Sequence, residues 1–235
     1  MICRRMPRCK FNLMQPSESP ASRYRIDAMC RCRASGLLLV FELCLLSAGC
    51  NRGPAAVKPP YIDPVAASRQ AIELYDTDHD GELSDQELAA CPGILQHRDL
   101  YDLDHNGKVS RQEIEDRIRK LRSSRIGLTK LAVQVRLDGR PVVGADVKLI
   151  PEKYLGDDIK AAVGKTGVSG LAVMHIPDQD LPSSQHGLIG VHYGTYKVEI
   201  THPTVKIPPK YNTQTTLGYE TERGNPSADF DLKSK

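Results

Sequence analysis

Residues 76–87 read DTDHDGELSDQE, and residues 102–113 read DLDHNGKVSRQE. Each stretch sets an acid or amide at its first, third and fifth positions, glycine at the sixth and glutamate at the twelfth. So many carboxylates in so short a length repel one another unless a cation lies among them. That the arrangement occurs twice in tandem sets it apart from a pair of acidic surface turns.

Calcium accepts six to eight hard oxygens at about 2.3–2.6 Å, and a twelve-residue loop supplies them from positions 1, 3, 5, 7, 9 and 12. Both stretches resemble the EF-hand loop at every one of those positions. The resemblance implies side-chain ligands from Asp76, Asp78 and Asp80, a sharp turn at Gly81, and the backbone carbonyl of Glu82. It also implies a water-mediated contact at Ser84 and a bidentate carboxylate at Glu87. In the second loop the same roles fall to Asp102, Asp104, Asn106, Gly107, Lys108, Ser110 and Glu113. Two calcium ions are therefore expected. Loop one carries four carboxylates to the three of loop two, so it is expected to be the tighter site unless the Lys108 and Asp80 environments act unequally.

Position 8 is Leu83 in one loop and Val109 in the other, apolar residues that face each other across a short backbone pairing in EF-hand pairs. Ser84 with Glu87, and Ser110 with Glu113, read as capping boxes that open the outgoing helices. Upstream, Asp63-Pro64 is an N-cap followed by proline at the first helical position, which predicts a helix over 64–75. Fourteen residues separate Glu87 from Asp102, and Pro92-Gly93 interrupts them. That leaves about two turns for the first outgoing helix and a similarly short second incoming one. Such helices offer little apolar groove, which favours a compact calcium-ordered module over a sensor that grips a target helix. Cys91, beside the break, reads as a buried inert thiol.

The N-terminal 49 residues differ from the rest. They hold eight Lys/Arg against three Asp/Glu, and the remainder holds 24 against 26, so no basic nucleic-acid footprint exists beyond residue 49. Six of the seven cysteines lie within the first 50 residues, leaving Cys91 without an internal disulfide partner. From Met29, MCRCRASGLLLVFELCLLSAGC runs from arginines through an apolar stretch, 37–46, to small residues before Cys50, the order of a secretory signal. The stretch LSAGC, 46–50, resembles the lipobox of bacterial lipoproteins, although Ser47 stands where that pattern usually has leucine. The resemblance implies lipidation of Cys50 and a membrane tether facing the periplasm or exterior. Glu42 interrupts the apolar run, which falls short of the roughly 20 residues of a spanning helix. Residues 1–28 read as a misplaced start or a disordered extension. The Pro-rich stretch over 50–62 reads as a tether.

Beyond residue 122 the apolar period changes from helical to alternating, which places a boundary within RSSRIGLTK, 122–130. Strands are expected over 131–137, 147–149, 161–165, 170–176, 193–200, 215–221 and 228–232, separated by Gly, Pro, Asn and Asp. Many short strands in about a hundred residues suggest an antiparallel sandwich. The spacing DGRPVVGADVKLIP, TGVSGLAV and GTYKVEI resembles the carboxypeptidase regulatory-like domain, a transthyretin-like β-sandwich, through Gly139, Pro141, Gly144, Ala145, Val147, Gly170, Gly194, Tyr196 and Val198. The expected organisation is multidomain: a signal segment over 1–49, a tether over 50–62, a small all-α EF-hand pair over 63–122 and an all-β sandwich over 127–235. In the loop following the fifth strand, Tyr211 is expected to plug one end of the sandwich.

No catalytic pattern emerges. Gly164-Lys165-Thr166 ends like a phosphate-binding loop, but Ile159 stands where that loop requires glycine. Neither H-E-x-x-H nor G-x-S-x-G occurs, and His175, His186, His192 and His202 lack ligand spacing. The expected function is thus a non-enzymatic, calcium-binding, lipid-anchored protein of the cell envelope, acting as a structural or interaction module with an envelope protein partner and no small-molecule substrate. An accessory subunit of an envelope hydrolase or transporter, and a calcium sensor, are the alternatives. The sandwich contains neither loop, so it is expected to be indifferent to calcium.

Overall fold

The helix opening the twin-loop region begins where its cap dictates. In the computed structural model, which describes residues 57–222 and 224–235, Asp63 accepts hydrogen bonds from the N–H groups of Val65 (3.0 Å) and Ala66 (3.2 Å). Helix α1 follows over Pro64–Tyr75, the bounds expected from sequence. Its buried residues include Ala67, Ala71 and Tyr75, one every fourth position, and this stripe packs on helix α4, Arg111–Ser123. The signal segment, Cys50 and the first residues of the tether lie outside the described residues.

Between those helices the chain is made of short pieces. Strand β1 (Glu82–Leu83) pairs with β2 (Val109–Ser110) in the antiparallel sense, setting Leu83 opposite Val109 as expected. Helix α2, Asp85–Leu88, is a single turn rather than two, because Ala90 and Cys91 already make the tighter bonds of a turn before Pro92. Helix α3, Pro92–Leu95, and a 3-10 turn at Arg98–Leu100 complete the incoming side of loop two.

The C-terminal part forms two four-stranded sheets. Strands β3 (Ala132–Leu137), β4 (Arg140–Pro141), β7 (Leu171–Val173) and β10 (Ser227–Leu232) make the first. Strands β5 (Asp146–Pro151), β6 (Ala162–Lys165), β8 (Gly194–Thr201) and β9 (Gly218–Thr221) make the second, in the order β6-β5-β8-β9. Alternate residues turn inward: Val133 and Val135 from β3, Val147 and Leu149 from β5, Tyr196, Val198 and Ile200 from β8, Phe230 and Leu232 from β10. All belong to one apolar cluster. Tyr211 is buried, and its hydroxyl accepts from the Lys233 N–H at 3.0 Å, so it closes the β-region as a plug.

One pairing departs from the antiparallel expectation. β10 runs parallel to β3, Ser227 opposite Ala132 through Leu232 opposite Leu137. The reason is topological: after β9 the chain leaves the second sheet and joins the first beside β3, travelling in the direction of β3. Alternation reports which face a strand buries and carries no information on the direction of its neighbour.

The twin-loop region and the β-region are not separate bodies. The described residues fall in one compact unit, and a single apolar cluster contains Leu88, Cys91, Ile94 and Tyr101 together with the strand interior. The contact is made at the Pro92-Gly93 break. A Cβ on Gly93 would stand 2.9 Å from the Thr195 Cβ, and a Cβ on Gly218 would stand 1.8 Å from the Pro92 carbonyl oxygen. Sequence reading took Pro92-Gly93 for a helix stop; in the structure it is also the surface on which β8 and β9 rest. Around it, Lys197 Nζ donates to the Ala90 carbonyl at 2.8 Å, and the His97 ring meets Tyr219 edge-on at 5.7 Å.

Backbone cannot yield as a flexible side chain can, so Gly218→Ala should force α3 off β9. We expect it to cost about 2–3 kcal/mol, within the range of overpacking, while the same change at Gly167, where a Cβ would meet nothing nearer than 3.8 Å, should cost less. Urea unfolding of the two variants measures the difference.

Candidate metal centre

Each loop is wound around the carboxylate at its first position. Asp76 accepts from the N–H groups of His79 (2.7 Å) and Gly81 (2.9 Å), one to each oxygen. Asp102 does the same with Asn106 (3.1 Å) and Gly107 (3.0 Å). Those bonds require the chain to reverse at once, and His79, Gly81, His105 and Gly107 all take positive φ, between 59° and 88°. Shorter turns fix the next side chains: Asp78 Oδ1 accepts from the Asp80 N–H at 3.1 Å, and Asp80 Oδ1 from the Glu82 N–H at 2.9 Å. In loop two, Asp104 Oδ1 accepts from the Asn106 N–H at 3.1 Å and Asn106 Oδ1 from the Lys108 N–H at 2.7 Å.

The result is two oxygen clusters. Carboxylate oxygens of Asp76, Asp78 and Asp80 lie within 4.8 Å of one another, and so do those of Asp102, Asp104 and Glu113. The closing glutamates are held from behind. Glu87 accepts from the N–H groups of Thr77 (2.7 Å), Asp78 (3.3 Å) and Ser84 (2.8 Å) and from the Ser84 hydroxyl (2.8 Å). Glu113 mirrors it with Leu103 (2.8 Å) and both polar groups of Ser110 (2.8 and 2.9 Å). The Ser84 N–H, chief among these donors, keeps the Glu87 carboxyl down at about 2, so it is ionised throughout the neutral range.

The structure thus brings three of the expected loop-one side chains into one cluster and sets Glu87 beside Ser84 and Thr77 instead. In loop two it unites Asp102, Asp104 and Glu113, with the Asn106 amide donating to Asp104 at 3.2 Å. Glu82 and Ser110 face each other in the β1–β2 pairing, and Lys108 directly precedes it. Every grouped donor is oxygen, with neither thiolate nor imidazole among them, which suits a hard cation such as calcium.

Residues 69–92 match the EF hand. The family model so described spans the later turns of α1, loop one and α2, and ends at Pro92, short of loop two. No curated protein and no solved structure matches the chain. The EF-hand match and the two acidic clusters together support calcium binding.

Sequence reading missed the residues that hold this EF-hand region to the strands. Leu-Tyr precedes Asp in both repeats, so the repeat begins two residues earlier than the loops, at Leu74 and Leu100. Tyr75 donates its hydroxyl to Glu152 Oε2 at 3.3 Å, and Tyr101 donates to Glu220 Oε2 at 2.5 Å. Both acceptors belong to the β-region and are fully buried. Glu152 also accepts from the Gly93 N–H at 3.1 Å and lies 3.8 Å from Lys197 Nζ; burial raises its carboxyl above the ordinary range. Glu220 is bonded by both the Nε (2.8 Å) and a terminal nitrogen of Arg117, a buried residue of α4 that also reaches Glu222 at 3.0 Å. The repeated Leu-Tyr-Asp was the one available signal. Glu152 and Glu220 have none, since neither is spaced to any partner along the chain.

Lys108 joins the two loops. Its ammonium pairs with Asp80, which lowers the Asp80 carboxyl below its usual range and raises Lys108. A positive charge therefore stands on one of the oxygens that would face a cation in loop one, offsetting the extra carboxylate that favoured that loop. Lys108→Met leaves the backbone carbonyl in place and removes the competitor. It should tighten calcium binding at loop one by a few-fold, the scale of an exposed ion pair; calorimetric titration against the unaltered chain measures the change.

Proposed function

We propose that this chain is a non-catalytic, lipid-anchored cell-envelope protein in which two calcium ions order the loops against a β-sandwich, making a rigid structural or interaction module. The observation that carries the reading is the pair of preformed oxygen clusters, joined through Leu83 and Val109 and backed by capped helices. In this reading Asp76, Asp78, Asp80 and Glu87, and Asp102, Asp104, Asn106 and Glu113, supply side-chain oxygens, while Glu82 and Lys108 supply backbone carbonyls. Ser84 and Ser110 act through water. A bound calcium supplies positive charge that offsets the mutual repulsion of the clustered carboxylates. The chain's own contribution is the set of N–H donors that gathers the oxygens of Asp76, Asp78 and Asp80, and of Asp102, Asp104 and Glu113, before any ion arrives.

The same contacts argue for a structural role. The loops' flanking tyrosines end on buried carboxylates of the β-region, so ordering the loops also orders the surface that β8 and β9 pack against. Calcium at about a hundred times the dissociation constant would add roughly 2.7 kcal/mol per site to the folded state. Tethering follows from the resemblance of the segment ending at Cys50 to a lipobox, and the sandwich from the resemblance of residues 127–235 to the carboxypeptidase regulatory-like domain.

Two measurements test the reading. Calorimetry should count two calcium ions on the unaltered chain and one each on Glu87→Gln and Glu113→Gln; two ions on either variant would remove that loop from the account. Expressed with its signal segment, the chain should sediment with membranes, and Cys50→Ser should release it, whereas identical fractionation would end the lipid-anchor reading.

A further inference from the structure

Where the described chain begins, it is fixed rather than loose. A Cβ on Gly127 would stand 2.5 Å from the Val57 carbonyl oxygen, so residues 57 and 58 lie pressed against the segment leaving α4. Beside this contact Lys58, Pro59, Pro60 and Tyr61 form one wall of an open groove of about 690 Å³, and Arg119, Arg122, Ser123 and Arg125 form the other. The Arg122 guanidinium lies 4.9 Å from the centre of the largely exposed Tyr61 ring. Of the four cations, Arg119 is paired with Glu115, and among the described residues no carboxylate lines the groove.

Basic residues in the last turn of a helix complement its dipole, which accounts for Arg122, and the pairing with Glu115 accounts for Arg119. Neither accounts for Lys58 and Arg125, which lie off the helix and yet line the same groove. Position supplies the rest. Lys58 follows Cys50 by eight residues, and a fully extended chain of that length reaches about 29 Å. If Cys50 is embedded in a bilayer, as in the reading above, the groove cannot stand further than that from the lipid surface.

We propose that this groove is a docking surface for anionic phospholipid headgroups, and that it orients the module on the membrane that holds its anchor. Lys58, Arg122 and Arg125 present charge to phosphate, and Arg122, whose guanidinium lies over the Tyr61 ring, offers a fork for bidentate contact. With the anchor and the groove both engaged, the β-region has a fixed attitude towards the bilayer instead of swinging on its tether.

The test uses the full chain carrying Cys50→Ser, so that lipidation contributes nothing and failure of the anchor reading leaves the outcome unaffected. It is mixed with vesicles of phosphatidylcholine alone and of phosphatidylcholine with phosphatidylglycerol. The expected result is cosedimentation favoured by phosphatidylglycerol and weakened by salt. Adding Lys58→Gln, Arg122→Gln and Arg125→Gln together should weaken it by about a hundredfold, since each basic side chain near an anionic surface is worth about a factor of five. Arg122→Lys, which keeps the charge, should retain most of the binding, and thermal melting checks that every variant is folded. Equal binding to both vesicle types, no binding, or a triple variant that binds as well as its parent would overturn the proposal.

Discussion

Arg117, Glu220 and Tyr101 meet inside the molecule, and much of the rest depends on that meeting. A carboxylate and a guanidinium withdrawn from water each lose several kcal/mol of hydration, which is recovered only if their hydrogen bonds are complete. Here they are: both Glu220 oxygens are bonded, and Arg117 reaches a second carboxylate on Glu222. Such a cluster tolerates little displacement, so α4, the last residue before loop two and strand β9 must hold their relative positions. Glu152 repeats the arrangement at the other loop, with Tyr75 and the Gly93 amide as donors.

This changes what calcium binding involves. In an isolated loop pair, charge repulsion is relieved by the ion alone. In this chain the residue before each first-position aspartate is bonded to a buried carboxylate of the β-region, Glu152 just after β5 or Glu220 in β9, so the loops are partly held by the β-region without an ion. In the proposed reading the same bonds would convey the ion's effect in the opposite direction. The sequence-based expectation of an indifferent sandwich rests on the absence of ligands beyond residue 113; the contact surface, which needs no ligands, argues against it. Gly93 and Gly218 carry that surface, where backbone lies close enough that no side chain fits.

Local chemistry was legible in the sequence. Asp63-Pro64 set the start of α1, the twelve-residue spacing gave the loops, and alternating apolar residues located the strands to within a few positions. Leu83 opposite Val109 followed from the repeat. What stayed hidden depends on distant partners: the parallel pairing of β10 with β3, the packing of α3 on β9, and the roles of Glu152 and Glu220. A lone glutamate in a strand looks the same on paper whether it faces solvent or closes a buried network. The Lys108–Asp80 pair lies between: both residues were visible, but only the fold brings position 7 of one loop to position 5 of the other.

Amide hydrogen exchange on the full chain, compared in chelator and in saturating calcium, tests the coupling most directly. The amides that pair β8 with β9, from Gly194 to Lys197 and Gly218 to Thr221, contain no proposed calcium ligand. If the loops and strands act as one unit through Glu152 and Glu220, calcium should slow exchange at these amides along with those of the loops, and Glu220→Gln should abolish most of the slowing in β9. Protection confined to residues 64–123, with β8 and β9 exchanging at the same rate in both conditions, would contradict the coupling.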